Sequence, residues 1–271
     1  MYFETHDGTR LAYEDYGQGE PVVFVSGAML NADMWEYQIP YFAERGYRCI
    51  AFDRRGHGRS GRPSCGYDTD STADDLAALL THLDLTGATL VGHSLGGAEV
   101  ARYLYRHGAG RVARVVLLAA VLPYLKQSDD NPAGIPEAAF DALTAAVRAD
   151  RPKWMSQQLQ AYFATHLGNQ VSPGQAALTL DQCLSASVWA TLQCQYAVFH
   201  TDNREAVRAI PVPALVLHGG ADISAPVEVT GRKTAELLPG CTYQEYPTAG
   251  HGIYVSHHGE INAGILEFIK N

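Results

Sequence analysis

The sequence predicts an α/β fold with a mostly parallel, doubly wound sheet and a helical cap inserted in its second half. Continuous apolar runs, such as residues 22–25 and 115–118, are typical of strands that are buried on both faces. Helical segments separate these runs, which predicts right-handed crossovers between parallel strands. The strand-like runs stop after residue 120 and resume near residue 210. We therefore expect an α/β core of residues 1–120 and 210–271, with residues 121–209 as the cap.

The first 120 residues alternate between strands and helices. Asp7-Gly8 separates two short strand-like runs and predicts a β-hairpin. Trp35, Ile39 and Phe42 have the spacing of one helix face, and Gly46 follows as a stop signal. The predicted strands are residues 2–5, 10–16, 21–26, 48–52, 89–91 and 112–119. The predicted helices are residues 31–45, 72–83 and 98–107.

The cap is predicted to contain four helices, after a polar loop rich in aspartate and proline. They are residues 137–149, 152–166, 174–187 and 189–200. Alternation then resumes, with strands at residues 214–218 and 242–246 and helices at residues 226–238 and 261–270. Ligands of such sheets bind beyond the carboxyl ends of the strands, so the loops that follow the strands are where function is expected.

The composition argues against several classes of partner and cofactor. A formal net charge of −9 and the lack of a basic run disfavour nucleic acid or an anionic membrane surface as the partner. Five scattered cysteines without a C-x-x-C pair predict neither disulfides nor a zinc site, and free thiols are typical of a reducing cytoplasm. No signal peptide is predicted, and no apolar stretch reaches the ~20 residues of a membrane helix. We expect a cytoplasmic protein with a small-molecule substrate and without a metal or organic cofactor.

The pattern Gly92-His93-Ser94-Leu95-Gly96 joins a predicted strand to a predicted helix. In that context Gly-x-Ser-x-Gly predicts a nucleophile elbow, a sharp turn that holds the serine in a strained backbone conformation with its hydroxyl exposed. Gly92 and Gly96 are needed because strand and helix pass close together. Ser94 is therefore the candidate nucleophile.

Two loops after Ser94 offer the acid and the base that a serine nucleophile needs, in the order Ser, acid, His. Asp222 follows the strand at residues 214–218 and is the candidate acid, with a helix cap as its alternative role. Its rival Asp202 lies in the inserted region, residues 121–209. It is better explained as a residue that caps the end of a helix or pairs with Arg204. His251 is the candidate base, and we expect its flanking glycines to leave the imidazole free to move. The histidines expected to be scaffold or solvated are His57, His93, His257 and His258.

A tetrahedral intermediate also needs two backbone N–H donors for its oxyanion, and we assign these to Leu95 and Ala28. Apolar residues near the cap and the oxyanion loop are candidates for a substrate pocket, although plain core is the better explanation of any one of them taken singly. They are Met29, Trp35, Val121, Leu125, Leu143, Tyr162, Val198, Phe199 and Ile223. As a set they predict a small or medium hydrophobic substrate.

Over nearly its whole length the chain resembles α/β-hydrolases of the bacterial aryl esterase and cofactor-free haloperoxidase (perhydrolase) group. The stretches that carry the resemblance are ADMWEYQ (32–38), AERGYR (43–48), AFDRRGHGRS (51–60), ADDL (73–76), the elbow and the loops of Asp222 and His251. The resemblance implies the α/β-hydrolase fold, the triad of Ser94, Asp222 and His251, and oxyanion donors at Ala28 and Leu95. It also implies a homo-oligomer, since members of the group often form trimers or hexamers.

Two departures from the group concern the oxyanion loop. Members usually have His-Gly-aromatic-Pro where this chain has Ser26-Gly27-Ala28-Met29. Members that make peracids well usually carry that proline, so Met29 favours ordinary hydrolysis. Ala28 in place of a large aromatic residue is expected to widen the pocket.

The leading hypothesis is a serine hydrolase that cleaves a carboxylic ester or lactone through an acyl-enzyme. One alternative is a perhydrolase or haloperoxidase, in which hydrogen peroxide replaces water. Others are a C–C or amide bond hydrolase and a hydrolase-fold ligand receptor without catalysis. Epoxide and haloalkane hydrolysis are disfavoured, because those reactions need an aspartate at position 94.

Overall fold

The computed structural model describes all 271 residues. Eight strands form one sheet: β1 (Tyr2–Glu4), β2 (Arg10–Tyr16), β3 (Glu20–Val25), β4 (Tyr47–Phe52), β5 (Ala88–His93), β6 (Val112–Leu118), β7 (Ala214–Gly219) and β8 (Thr242–Tyr246). Their order is β1-β2-β4-β3-β5-β6-β7-β8. The β1·β2 and β2·β4 pairs are antiparallel, and the other pairs are parallel. The predicted mostly parallel sheet is therefore confirmed.

Ten helices accompany the sheet: α1 (Gln38–Ala43), α2 (Thr69–His82), α3 (Leu95–His107), α4 (Glu137–Tyr162), α5 (Pro173–Ser185), α6 (Val188–His200), α7 (Arg204–Arg208), α8 (Gly231–Leu237), α9 (Ile253–Ser256) and α10 (His258–Lys270). Two short 3₁₀ turns add to them, at Ala32–Trp35 and Thr165–Leu167. None of the helices combines the length and apolar character that a bilayer crossing requires. All of the strands, and most of the helices, lie close to their predicted positions.

The predicted helix at residues 31–45 is wrong, because the segment divides into a 3₁₀ turn and α1. Asn31 caps the turn, and its side chain accepts a hydrogen bond from the Asp33 N–H at 3.1 Å. In one continuous helix Pro40 would lie in the interior, where its ring clashes with the carbonyl four residues earlier. The break moves Pro40 into the first turn of α1, where a missing N–H is tolerated.

Helix α4 replaces two predicted helices, and it is kinked where they were expected to separate. Asp150 has φ −160° and ψ 85°, and Pro152 follows inside the helix. The Asp150 carboxylate accepts the Lys153 N–H at 3.0 Å and so caps the second half. This second half ends at Tyr162 rather than at the predicted His166, since Ala164 has a left-handed conformation.

The helix predicted at residues 226–238 begins only at Gly231. Residues 226–230 form turns, and the Thr230 hydroxyl donates to the Pro226 carbonyl at 2.7 Å. A Cβ at Gly231 would lie 2.7 Å from the His218 ring, so this point must pass close to β7. Apolar spacing alone did not reveal that contact. Helix α7 was not predicted, because five residues are too few for a periodic signal.

The sheet is covered on both faces. One apolar cluster contains side chains of α2 and α3, including Leu76, Leu79 and Val100. The other contains Phe42 of α1 and Ile265 of α10. With both faces covered by helices, the exposed carboxyl ends of β3, β5, β7 and β8 are left to carry the loops of the candidate site.

Candidate active site

Ser94 lies in the turn between β5 and α3, with φ 54° and ψ −119°. This region of backbone space is almost closed to residues with a side chain. The turn is possible because two glycines let the chain pass close to itself. A Cβ at Gly92 would lie 2.5 Å from the Gly96 carbonyl oxygen, and a Cβ at Gly96 would lie 2.2 Å from that of Val25. The strained turn aims the serine hydroxyl away from the sheet, beyond the strand ends.

The structure brings Ser94, His251 and Asp222 into one hydrogen-bonded chain. Ser94 Oγ is 2.9 Å from His251 Nε2. His251 Nδ1 is 2.7 Å from Asp222 Oδ2. The three residues are 6%, 6% and 4% exposed, so the chain of contacts is largely shielded from water. This arrangement allows the imidazole to take a proton from the hydroxyl while the carboxylate stabilises the resulting positive charge.

The Asp222 carboxylate is held by its own loop. One oxygen accepts the backbone N–H groups of Ser224 and Ala225, at 2.9 and 2.8 Å, which leaves the other for His251. Burial alone would raise the pKa of Asp222, but the charge and hydrogen bond of His251 and the nearby His218 lower it below its ordinary value. The carboxylate is therefore ionised at neutral pH. Asp202, the rival candidate, instead bonds the Arg204 N–H and guanidinium.

The loop after β3 carries Ala28 and Met29. The Ala28 N–H makes no hydrogen bond within the chain. Leu95 is the first residue of α3, so its N–H has no carbonyl partner inside the helix. The Met29 N–H is used differently, because it points to His57 Nε2 at 3.2 Å. Neither N–H thus has a partner within the chain, and the role of the two groups as oxyanion donors stays a prediction.

Two histidines close to Ser94 are buried parts of the scaffold. Burial and the charge of Arg54 lower the pKa of His57 to about 3, while its Nδ1 faces the Arg55 carbonyl at 2.9 Å. Burial and the charge of His251 lower the pKa of His93 to about 3. His93 Nε2 is 3.0 Å from the His251 carbonyl oxygen. Both rings are therefore neutral, and the bond from His93 holds the loop of the candidate base.

Close packing explains Gly250 and Gly252 in the structure, while the freedom of the imidazole to move stays a prediction. A Cβ at Gly250 would lie 2.6 Å from the Tyr162 carbonyl oxygen, and a Cβ at Gly252 would lie 2.3 Å from the Phe163 ring. The Gly252 N–H also donates to the Tyr162 carbonyl at 2.7 Å. These glycines allow the end of α4 to pack directly on the loop of His251, which fixes that loop rather than loosening it.

A cavity of about 390 Å³ is lined by residues of α4, α5 and α6 and of the loops that follow the strands, with Ser94 and His251 among them. Eight predicted pocket residues line it: Met29, Val121, Leu125, Leu143, Tyr162, Val198, Phe199 and Ile223. Trp35 does not. It is fully buried against Phe24 and Tyr254, which agrees with plain core, the alternative given for it above.

Sequence reasoning missed part of the wall that α4 and α5 contribute. The missed residues on α4 are Ala139, Phe140, Trp154, Met155, Gln158 and Leu159, and those on α5 are Thr179, Leu180 and Cys183. The spacing of Met155, Leu159 and Tyr162 along α4 is that of one helix face, and this signal could have found them. The cavity wall includes no lysine, arginine, aspartate or glutamate. It therefore fits an uncharged, mainly apolar ligand.

Residues 20–258 match the family model described as the alpha/beta hydrolase fold. The chain is 41% identical over 98% of both lengths to the non-heme chloroperoxidase CPO-A1 of Kitasatospora aureofaciens. It is 36% identical to the bifunctional esterase/perhydrolase DCH of Acinetobacter calcoaceticus, over 100% of this chain and 99% of that one. The solved structure of an esterase from Exiguobacterium antarcticum superposes with a TM-score of 0.95 at 30% identity, covering 100% and 99% of the two chains.

Proposed function

Because the chain belongs to the α/β-hydrolase family, we propose that it is a serine hydrolase of carboxylic esters or lactones. The predicted resemblance to the esterase and cofactor-free haloperoxidase group is confirmed by the relatives. The observation that carries the proposal is the hydrogen-bonded chain from Ser94 through His251 to Asp222, at one end of an apolar cavity. Hydrolases and perhydrolases that act through an acyl-enzyme both need such an activated hydroxyl.

The proposed reaction begins when Ser94 Oγ attacks the ester carbonyl and its proton passes to His251 Nε2. Asp222 keeps Nδ1 protonated and stabilises the imidazolium. The N–H groups of Ala28 and Leu95 bind the oxyanion of the tetrahedral intermediate. His251 then protonates the departing alcohol. Water, deprotonated by the same imidazole, releases the acid from Ser94 and restores the enzyme.

The cavity supports a neutral substrate of small to medium size. A charged group placed there would lose its hydration without gaining an opposite charge, since no acidic or basic side chain of the wall can pair with it. Phe140 and Phe199, whose rings stack with centroids 4.5 Å apart, add aromatic surface to the wall for contact with an apolar group. Ala28 adds space beside the oxyanion loop.

Perhydrolysis is the second candidate, because one relative is named a bifunctional esterase/perhydrolase. Hydrogen peroxide would then replace water in the attack on the acyl-enzyme and release a peracid. Met29 favours hydrolysis as the main activity. It has φ 66° and donates its N–H to His57, whereas the proline found in strong peracid producers permits neither.

The test is release of p-nitrophenol from acetate, butyrate and octanoate esters, with and without hydrogen peroxide, by the wild type and Ser94→Ala. We expect serine-dependent release in which peroxide diverts little product to peracid. Peracid as the main product would establish the second candidate. Equal release by Ser94→Ala would refute the mechanism. No release from esters or lactones, combined with tight ligand binding, would favour a receptor.

The partner of the protein is a small-molecule substrate in this proposal. Assembly into trimers or hexamers stays a prediction of the resemblance, and a cytoplasmic location stays a prediction of the cysteine usage. Gel filtration with light scattering tests the first of these directly.

A further inference from the structure

The peptide unit that carries the Ala28 N–H is held from behind by a buried arginine. Arg54 Nη1 donates to the Gly27 carbonyl at 3.1 Å, and Nη2 donates to the Ser26 carbonyl at 2.6 Å. The Gly27 carbonyl and the Ala28 N–H belong to the same trans peptide. In a planar trans peptide these two groups point in opposite directions. Fixing the oxygen therefore fixes the direction of the N–H.

The same guanidinium is bound on its other side to Glu99. Arg54 Nε and Nη2 donate to the two Glu99 oxygens, with the second pair at 2.7 Å. Glu99 lies on α3, the helix that begins directly after Ser94. Arg54 and Glu99 are only 2% and 1% exposed. One fork-shaped side chain thus links the oxyanion loop to the helix of the nucleophile.

We propose that Arg54 is a positioning residue for the oxyanion hole, with Glu99 as its anchor on α3; this inference rests on the proposed function. Arg54 fixes the distance and angle between the Ala28 N–H and Ser94. The charge of Arg54 also polarises this peptide through the hydrogen bond to the Gly27 carbonyl. The Ala28 N–H on the far side thereby becomes a stronger donor, because linked hydrogen bonds polarise one another. An oxyanion hole depends on such donors being in place before charge develops.

A purely structural role is the alternative, and the adjacent residue provides the matched control. Arg55 is fully buried and forms its own paired hydrogen bonds with Asp75, at 2.7 and 2.6 Å. Its guanidinium contacts Asp7 and the Cys65 carbonyl but no residue of the oxyanion loop. Loss of a buried ion pair is common to variants of both arginines, whereas loss of the contact with the Gly27 carbonyl is specific to Arg54.

The experiment compares Arg54→Met combined with Glu99→Leu against Arg55→Met combined with Asp75→Leu. Each double variant removes both charges of a buried pair, which avoids leaving one charge unpaired and often preserves stability. Arg54→Lys is a third variant, because it keeps the charge but loses the fork that spans two carbonyls. Folding is checked by circular dichroism and thermal denaturation.

The readouts are kcat/KM for p-nitrophenyl butyrate and the affinities of two inhibitors. An alkyl trifluoromethyl ketone adds to Ser94 and forms an oxyanion, whereas the matching alkyl methyl ketone, being far less electrophilic, reports ground-state binding. Loss of a whole oxyanion donor costs about 10²–10³-fold in kcat. Since the donor here remains but is poorly placed, we expect a loss of about 10- to 100-fold in kcat/KM. The trifluoromethyl ketone should lose affinity by a similar factor, and the methyl ketone should not.

Arg54→Lys should show the same pattern to a smaller degree, and the Arg55 and Asp75 variant should keep both inhibitor affinities. The inference is overturned if the folded Arg54 and Glu99 variant binds the trifluoromethyl ketone as the wild type does. It is equally overturned if both arginine pairs give the same losses, or if both ketones weaken together. A wild type without Ser94-dependent turnover would instead refute the proposed function, so the two failures are distinguishable.

Discussion

Replacing Gly252 by alanine tests whether the candidate base is held by packing. Gly252 has φ −78° and ψ 32°, so the change does not require a positive φ of alanine. The added Cβ would lie 2.3 Å from Phe163 Cδ1 and 2.8 Å from Tyr162 Cε1. Carbon atoms pack best at about 3.5–4.0 Å, so the two segments must separate by about 1 Å. The end of α4, or the loop of His251, has to move.

The size of the effect follows from the lack of free space. Phe163 is 1% exposed and cannot swing into solvent. Inserting a methyl group into such a site typically costs about 1–3 kcal/mol. In a protein of this size each kcal/mol lowers the melting temperature by about 2–4 °C. A displacement of about 1 Å at a catalytic group can reduce turnover by about 10²-fold.

Thermal denaturation and kcat/KM for p-nitrophenyl butyrate measure the two effects, with Gly264→Ala as the control. Gly264 lies within α10, and its Cβ would meet nothing closer than 3.8 Å. Alanine there should stabilise the protein by about 0.5–1 kcal/mol and leave turnover unchanged. A Gly252→Ala variant that is as stable and as active as the wild type would refute the packing argument. A stabilised variant with slow turnover would show that the glycine serves mobility.

Three further predictions concern protonation and the cavity. His57 and His93 have a pKa of about 3 in the fold against about 6.5 unfolded, so the unfolded chain binds more protons between these values. As the pH falls from about 6.5 to about 3, each of these histidines should therefore lower the free energy of unfolding by about 1.4 kcal/mol per pH unit. Urea denaturation at several pH values measures this dependence. His93→Gln should reduce the slope of the unfolding free energy against pH by the contribution of one histidine. Asp222→Asn should lower kcat about 10⁴-fold with little change in KM in steady-state ester hydrolysis, because the amide stabilises the wrong tautomer of His251; a loss below tenfold would contradict its role. Ala28→Trp should reduce kcat/KM for the octanoate ester far more than for the acetate ester, and equal losses would show that residue 28 does not face the acyl group.

The parts of the site that sequence could predict are those with a local signal. Ser94 lies in a five-residue pattern at a strand–helix junction, and Asp222 and His251 each follow a strand by a few residues. The carboxyl ends of parallel strands meet at one edge of the sheet, so the order along the chain was enough to bring these loops together. Strands β3, β4, β6 and β7 were predictable from an equally local signal, because each contains a continuous apolar run.

The parts that could not be predicted depend on contacts between distant segments. Apolar spacing predicted a helix at residues 31–45. Spacing alone carries no information on the clash between the Pro40 ring and the carbonyl four residues earlier, which a continuous helix would create. The pattern also left Trp35 undecided between pocket and core, since an apolar residue near the site has the same sequence signal in either place. Arg54 and Glu99 are 45 residues apart, and no periodicity links them.

Glycine shows why one residue type carried different meanings in the same site. Gly92 and Gly96 belong to a motif, so their need for close approach was readable from the sequence. Gly250 and Gly252 satisfy the same steric need, yet the chain they approach is the end of α4, some 90 residues earlier. Without that partner the natural interpretation is flexibility. The structure offers packing instead, with a functional consequence: helix α4, which lines the cavity, also packs on the loop of the base. Changes in the cap that alter Tyr162 or Phe163 should therefore change the chemical step as well as substrate preference.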